Sequence, residues 1–363
     1  MKQDAINPQQ SLFIDYAKGL GILLVVIGHY NWQADAVYTP YLFHMPLFFI
    51  LGGLVLRPYA DERRWARKWL RSYPLYYVVW YTVIGLITLA LTSLFDTRIV
   101  LYLGQGWDIF AMPLRGNSHA NSLFMIGWFL VSYALVSGAF RIMVSRGRGR
   151  INRYYLLLAT VVLAYLASEY LAPAFHAERL WYRNVLVQLA VGSMYMAFGY
   201  ALRPWLDKLA SFNLMASCWI VLATIVALGW VTPLGMSWSE YPDGFVLHTL
   251  SAVLGSVGLL SLCYLLSQAK PQASLQLLGR YSKDIMTLHL LMFVLLDILF
   301  ASMGLLQMSY ISALHHWVSP KVCWLYLLVG SVAPIAVRMA IDSAKRAIKQ
   351  RTQQSAECAV SSA

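Results

Sequence analysis

Charge is what this sequence has least of. Asp, Glu, Lys and Arg make up 12% of its 363 residues, and 59% are hydrophobic. A soluble globular domain carries about 25% charged residues. A shortage of that size, with a mean hydropathy of +0.58, excludes an ordinary water-facing surface for most of the chain. The net charge of +12 would suggest nucleic acid in a soluble protein. Here the cations sit between apolar runs, so the membrane reading takes precedence. Cysteine is also scarce. Cys218, Cys263, Cys323 and Cys358 form no CxxC pair, so neither a zinc site nor a disulfide framework is indicated. There is no GxSxG elbow, no HExxH and no P-loop GxxxxGK[ST], which leaves hydrolase and ATPase readings without support. Nor does an HxxxxD pair start at His29, because Ala34 stands at the last position. No internal repeat can be defended.

What the chain does have is long apolar runs. A spanning helix needs about 20 mostly apolar residues. Ten runs qualify: 13–32, 41–57, 73–95, 123–144, 154–172, 185–202, 213–232, 245–267, 285–303 and 321–341. The second and sixth are short. The expected fold is therefore all-α, a polytopic integral membrane protein with about ten helices in one bundle. The bundle is expected over 1–341, followed by a basic, then Ser/Ala-rich tail over 342–363, frayed and near the anionic inner leaflet. The polar start, MKQDAINPQQ, precedes a span with no small-residue cleavage site. The expectation is an uncleaved signal anchor rather than a removable leader. With the N-terminus in the cytoplasm, inside segments hold 23 of the 28 Lys and Arg, and outside segments hold Arg98, Arg115, Arg179, Arg183 and Lys321. The positive-inside rule favours this layout strongly.

Ionisable side chains within spans are costly, so each is a candidate for function. The first span carries Lys18 and His29, eleven residues apart. At 100° per residue they fall about 20° from the same face and roughly 16 Å apart along the axis. A lone His in a span is more often a satisfied core residue; the shared face with Lys18 argues against that here. His44 opens the second span, where it could approach His29 or serve only as an interfacial residue. Gly52 and Gly53 suggest close helix packing. The stretch 57–74, RPYADERRWARKWLRSYP, is read as a cytoplasmic loop. Its Arg67 and Arg71 could cradle phosphates in bidentate fashion, or could simply be positive-inside loading. Trp65 and Trp69 could stack on an adenine or anchor at the interface. His289 and Asp297 lie in the ninth span about 80° apart in projection. Glu169, near the outer end of the fifth, is a weaker candidate.

These motifs resemble a known family. IDYAKGLGILLVVIGH (14–29) and FHMPLFFILGG (43–53) are similar to the opening of the membrane acyltransferase-3 family, closest to its fucose 4-O-acetylase-like branch. The family's cation, ten residues, then His corresponds to Lys18 and His29. Arg is commoner at the first position, and Gly52 stands where Ser is usual. RKWLRSYP supplies Arg67, Arg71 and Pro74 to the family's basic motif. GWFL, with Trp128, and LGRYSKDIMTLH, ending at His289, resemble its later segments, with Met286 in place of an aromatic.

The resemblance implies ten spans, an acyl-CoA donor on the cytoplasmic side and O-acylation of a sugar or cell-envelope glycan. The expected protein is an O-acetyltransferase of the plasma (inner) membrane. Acetyl-CoA or another acyl-CoA is its co-substrate, membrane lipids surround it, and neither metal nor nucleic acid is involved. His29 and His289 are the expected catalytic residues. Lys18, Arg67 and Arg71 are expected to hold the donor phosphates, and His44 and Trp128 to meet the acceptor. Two alternatives stay open: a transporter or flippase of a lipid-linked sugar, and a non-catalytic membrane partner in envelope biogenesis.

The charge count generates a direct test. Reporter fusions after Ala60, Arg148 and Gln350 are expected to report cytoplasm, and one at Phe110 the outside. An outside signal at Arg148 would sink the ten-span layout.

Overall fold

A computed structural model describes residues 8–30, 40–99, 107–147, 150–269 and 271–361. Lys2, Arg148 and Lys270 of the charge count, and the last two residues of the first expected span, lie outside the described residues. Fourteen α-helices follow one another among the described residues. They are α1 (Pro8–Tyr30), α2 (His44–Leu54), α3 (Glu62–Ser72), α4 (Pro74–Leu94), α5 (Asp108–Ala111), α6 (Gly127–Arg146), α7 (Arg153–Leu166), α8 (Ala172–Glu178), α9 (Trp181–Leu202), α10 (Phe212–Ala227), α11 (Gly244–Gln268), α12 (Ala273–Arg280), α13 (Ser282–Ser302) and α14 (Cys323–Ser361). A π-helical turn, Ala167–Leu171, joins α7 to α8. No strand forms among the described residues; Gly235 and Glu240 make one isolated bridge.

Eight helices are long and apolar enough to cross a membrane, and α2 and α10 are shorter apolar helices. The chain is thus an all-α polytopic membrane protein. The short elements are the second and seventh, not the second and sixth. The sixth run extends upstream to Trp181 and makes the 22-residue α9. The seventh stops at Ala227, and Gly229 with φ +67° leads the backbone out of the helix. At 1.5 Å per residue, the 11 residues of α2 reach only about 17 Å. That is tolerable because every one of them is buried in protein, and lipid meets none of its frayed ends. The backbone of α14 continues as helix through the tail to Ser361.

The basic stretch expected as a loop also folds as a helix, α3. Asp61 caps it by accepting a hydrogen bond from Arg64 N at 3.0 Å, and Glu62 favours its positive end. Pro74 opens α4 directly after it. The lipid-facing helices show themselves by exposed apolar side chains: Leu75, Val78, Val83 and Leu86 on α4, and Leu158, Val162 and Leu163 on α7. Helix α1 is interior, with Phe13, Tyr16, Ala17, Ile22, Val25 and Val26 at 1% exposure or less.

Helix association in lipid rests on close packing, and glycines set the closest approaches. A Cβ at Gly19 would lie 2.6 Å from the carbonyl oxygen of Leu275, and one at Gly279 would collide with the carbonyl of Asp15. These two contacts seat α12 against α1. Gly53 and Gly199 do the same for α2 and α9: a Cβ at either would strike the partner's backbone, at Met196 or Ile50.

The stretch RGNSHANS (115–122), polar in sequence, folds down into the bundle from Asn117 onward. Asn117, His119, Asn121 and Ser122 are buried. Asn121 Nδ2 donates to Tyr81 O at 3.2 Å, and His119 N donates to Asn117 Oδ1 at 3.0 Å. The His119 ring lies between those of Trp238 and Trp181, 4.6 and 5.8 Å away, and neither ring nitrogen has a partner. Burial pushes the His119 imidazole down from 6.5 to about 3. A depressed folded value means that the opened segment takes up the proton first. The segment's stability is complete above pH 6.5 and is lost as the pH falls toward 3, by about 1.4 kcal/mol per pH unit. The opening equilibrium over 117–122, taken from hydrogen exchange after division by the intrinsic exchange rate at each pH, is expected to rise between pH 7 and pH 5 in the parent and to change less in His119→Phe. Equal pH sensitivity in the two would show that another group controls the segment.

Candidate active site

His29 occupies the last turn of α1, and the carbonyl of Val25 one turn back takes its Nδ1–H at 2.9 Å. This fixes the tautomer and leaves Nε2 free as an acceptor. The ring of His289 stands edge-on at 4.9 Å. Its Nδ1 is held the same way, by Ile285 O at 3.0 Å, and its Nε2 is buried with no partner. Two imidazoles far apart in sequence therefore meet, each with Nδ1 engaged by its own helix. The meeting depends on the seating of α12, because α13 starts directly after α12 and carries His289 nearly three turns beyond that contact.

His44 approaches this pair through Tyr41. The Tyr41 ring is 6.0 Å from His29 and 5.0 Å from His44, and His44 Nδ1 donates to Pro40 O at 2.5 Å. The structure thus gathers His29, His44 and His289 into one aromatic cluster.

It also ties Asp297, a candidate from the sequence, to His316 and Tyr326, which the sequence reading missed. Asp297 is fully buried, and its carboxylate meets Nδ1 of His316 at 2.6 Å, again with both side chains at 0% exposure. Its second oxygen accepts from the Tyr326 hydroxyl. The ring of Phe293 bridges the two groups of residues, 5.9 Å from His289 and 5.0 Å from His316. His316 Nε2 is buried without a partner. The segment carrying His316 is tied to α1 beside His29: Tyr30 OH donates to Trp317 O at 3.0 Å and accepts from Ser319 N at 3.1 Å. An ionisable group between spans at an apolar boundary, as in ISALHHWVSP, was the one available signal.

The expected donor residues lie apart from this cluster. Lys18 pairs with Asp15 at 3.9 Å and is partly exposed. Arg67 and Arg71 are exposed on α3. The tryptophans of α3 face the bundle: Trp69 Nε1 donates to Ala134 O at 3.1 Å and its ring covers Gly138, while Trp65 stacks on Tyr59 at 5.1 Å. Trp69 is therefore an anchor for α3 and not an open stacking platform. Trp128 is buried at the start of α6 and packs on Phe129. Glu169 is exposed on the π-helical turn, away from the cluster. A Cβ at Gly52 would lie 2.7 Å from the Tyr133 hydroxyl, so that hydroxyl stands where a side chain at position 52 would point. Among the described residues, no group of three or more His, Cys, Asp or Glu is arranged to hold a metal ion.

No curated protein and no solved structure matches the chain. A family model does, described as an acyltransferase domain, and it covers residues 11–340, from the first turn of α1 into α14. That span includes every helix contributing to the histidine cluster, and the chain belongs to the acyltransferase-3 family of membrane acyltransferases.

Proposed function

We propose that the protein is an O-acetyltransferase of the fucose 4-O-acetylase-like kind, seated in the plasma (inner) membrane. It moves an acetyl group from cytoplasmic acetyl-CoA to a hydroxyl of a sugar or cell-envelope glycan. The observation that carries this reading is His29. Its Nδ1 is engaged by Val25 O and its Nε2 is left as a free acceptor beside His289, within a chain of the acyltransferase family. His29 Nε2 takes the proton of the acceptor hydroxyl as that oxygen attacks the thioester carbonyl. The C–S bond breaks, and the proton follows the thiolate out as CoA, with His289 beside His29 to hand it on. The lone pair on Nε2 is what this chemistry requires, and the tautomer fixed by the helix carbonyl supplies it.

The donor enters from the side that bears α3. Arg67 and Arg71, exposed at the cytoplasmic surface, and Lys18 at the inner end of α1 hold its phosphates. The pantetheine arm then runs up the bundle, roughly 16 Å from Lys18 to His29 at 1.5 Å per residue. His44 and Trp128 lie toward the outer side and serve the acceptor.

Two measurements test the scheme on detergent-purified protein matched for monodispersity. His29→Ala is expected to lower CoA release by roughly 10²–10⁴, the usual worth of a general base. His29→Gln is expected not to restore it, since an amide cannot take a proton. Near-normal turnover in His29→Ala would pass the role to His289 or His44. For the donor, changing Arg67 and Arg71 together to Ala is expected to weaken CoA binding roughly tenfold or more and to flatten its salt dependence. Unchanged affinity and salt slope in calorimetry would leave α3 as a topology signal only.

A further inference from the structure

Most polar groups along the seam between α3 and α6 have partners. Glu62 pairs with Arg146 at 3.2 Å, Tyr59 N donates to Ser145 Oγ at 3.0 Å, and Trp69 Nε1 donates to Ala134 O at 3.1 Å. Three side chains at the bundle end of this seam are exceptions. Arg141 is half-buried, its Nε is buried with no acceptor, and it joins no ion pair among the described residues. Its charge acts on the phenol of Tyr73, at the junction of α3 and α4. The half-buried rings of Tyr73 and Tyr133 lie 5.9 Å apart, and neither hydroxyl makes a hydrogen bond among the described residues.

A guanidinium and two phenols, all unmatched, thus form one row. Arg141 lies eight residues beyond Tyr133, about 12 Å nearer the cytoplasmic end of α6 in the N-inside orientation. At the other end of the row, the Tyr133 hydroxyl stands over Gly52 of α2. One turn outward on α2, the Phe48 ring lies 5.9 Å from that of Phe129 and 3.3 Å from where a Cβ on Gly21 of α1 would be. His29 is just over two turns beyond Gly21, and His44 one turn beyond Phe48. The row therefore leads from the cytoplasmic side to the helix pair that carries two imidazoles of the cluster. Buried donors without acceptors are costly, and these suit a ligand that brings an anion at one end and neutral acceptors farther in. A planar guanidinium matches a phosphate. CoA has that order of groups: a diphosphate, then an arm with two amide carbonyls, then the sulfur. Arg67 and Arg71 each follow a seam tryptophan by two residues, 200° around α3, so they stand on its far face. CoA carries a further phosphate, on the ribose 3′ oxygen, which is left for them.

We propose that Arg141 binds the diphosphate of the donor, and that the hydroxyls of Tyr73 and Tyr133 donate to the amide carbonyls of its pantetheine arm. This rests on the acyl-CoA reading and divides the donor's phosphates between the two faces of α3. Arg141 takes the one next to the arm, and the outer arginines take the one on the ribose.

The test is calorimetry on the full-length, detergent-purified protein with three probes. They are CoA, dephospho-CoA, which lacks only the 3′-phosphate, and adenosine 3′,5′-bisphosphate, which lacks the phosphopantetheine arm. Arg141→Ala is expected to weaken CoA and dephospho-CoA equally, by about tenfold or more, as the loss of a charge-assisted bond does. Where Arg141→Ala is not monodisperse, Arg141→Gln keeps much of the side chain without the charge and is read the same way. Tyr73→Phe and Tyr133→Phe are each expected to weaken CoA by about two- to tenfold and to leave adenosine 3′,5′-bisphosphate unchanged. Unchanged CoA affinity in the Arg141 variant overturns the proposal; if less anionic phospholipid is also retained through purification, Arg141 holds a lipid headgroup instead. A loss seen with CoA and absent with dephospho-CoA overturns it too, since Arg141 then reads the ribose phosphate. Tyrosine variants that affect neither probe, or both alike, overturn the assignment of the amides. In each of these cases the parent still binds CoA and the acyl-transfer reading stands. A parent that binds none of the three probes removes the donor reading, and this proposal with it.

Discussion

The backbone contact between α1 and α12 sets the height at which everything else in the centre meets. Gly19 faces the Leu275 carbonyl and Gly279 faces that of Asp15, so the two helices touch without side chains between them. Since α13 continues from α12 almost without interruption, that contact also fixes the register of α13 against α1. A methyl group at either glycine would force the backbones apart and slide His289 relative to His29, whose rings now stand 4.9 Å apart. In a membrane, where lipid offers helices no hydrophobic reason to associate, such close approaches are the main source of specific packing. The same device, Gly53 against Gly199, holds α2 to α9 and so places His44.

The all-α, many-span architecture was legible in the sequence, because hydropathy reports directly on lipid. His29 was legible because a spacing of eleven in one helix puts two side chains on one face whatever the tertiary fold. His316 was not. It lies nineteen residues from Asp297, beyond the end of α13 at Ser302, and no periodicity reports on contacts made across such a connection. The helical state of α3 was missed because its cations read as a loop, although Asp61 followed by a Glu is an ordinary helix start. The shortness of α2 was legible, but its full burial, which makes it tolerable, depends on neighbours.

The outer segment over 117–122 went the other way from its composition. Polar residues there are buried and not exposed, since α4 offers Tyr81 O and Thr88 as partners to Asn121. The short turn Ser122–Phe124 that follows is fully buried. The segment is therefore a folded, buried turn whose stability hangs partly on one unpaired imidazole, His119.

Nδ1 of His29, His44 and His289 faces a carbonyl four residues back, and Nδ1 of His316 faces a carboxylate. The helix carbonyls already accept from their own helix, so these are second bonds that cost the protein little. Their effect is to choose one tautomer at every ring and to present Nε2 as the working atom. For His289 and His316 that atom has no partner. Removed from water, an unpaired polar atom costs of the order of 1–3 kcal/mol, and nothing in packing repays that cost. A centre that fixes all its donors on one side of the rings and leaves acceptors on the other is complementary to hydroxyl groups, which supply the missing hydrogens. The same lone pairs that bind such a group are those that can remove its proton, so binding and chemistry here draw on one arrangement of nitrogen atoms.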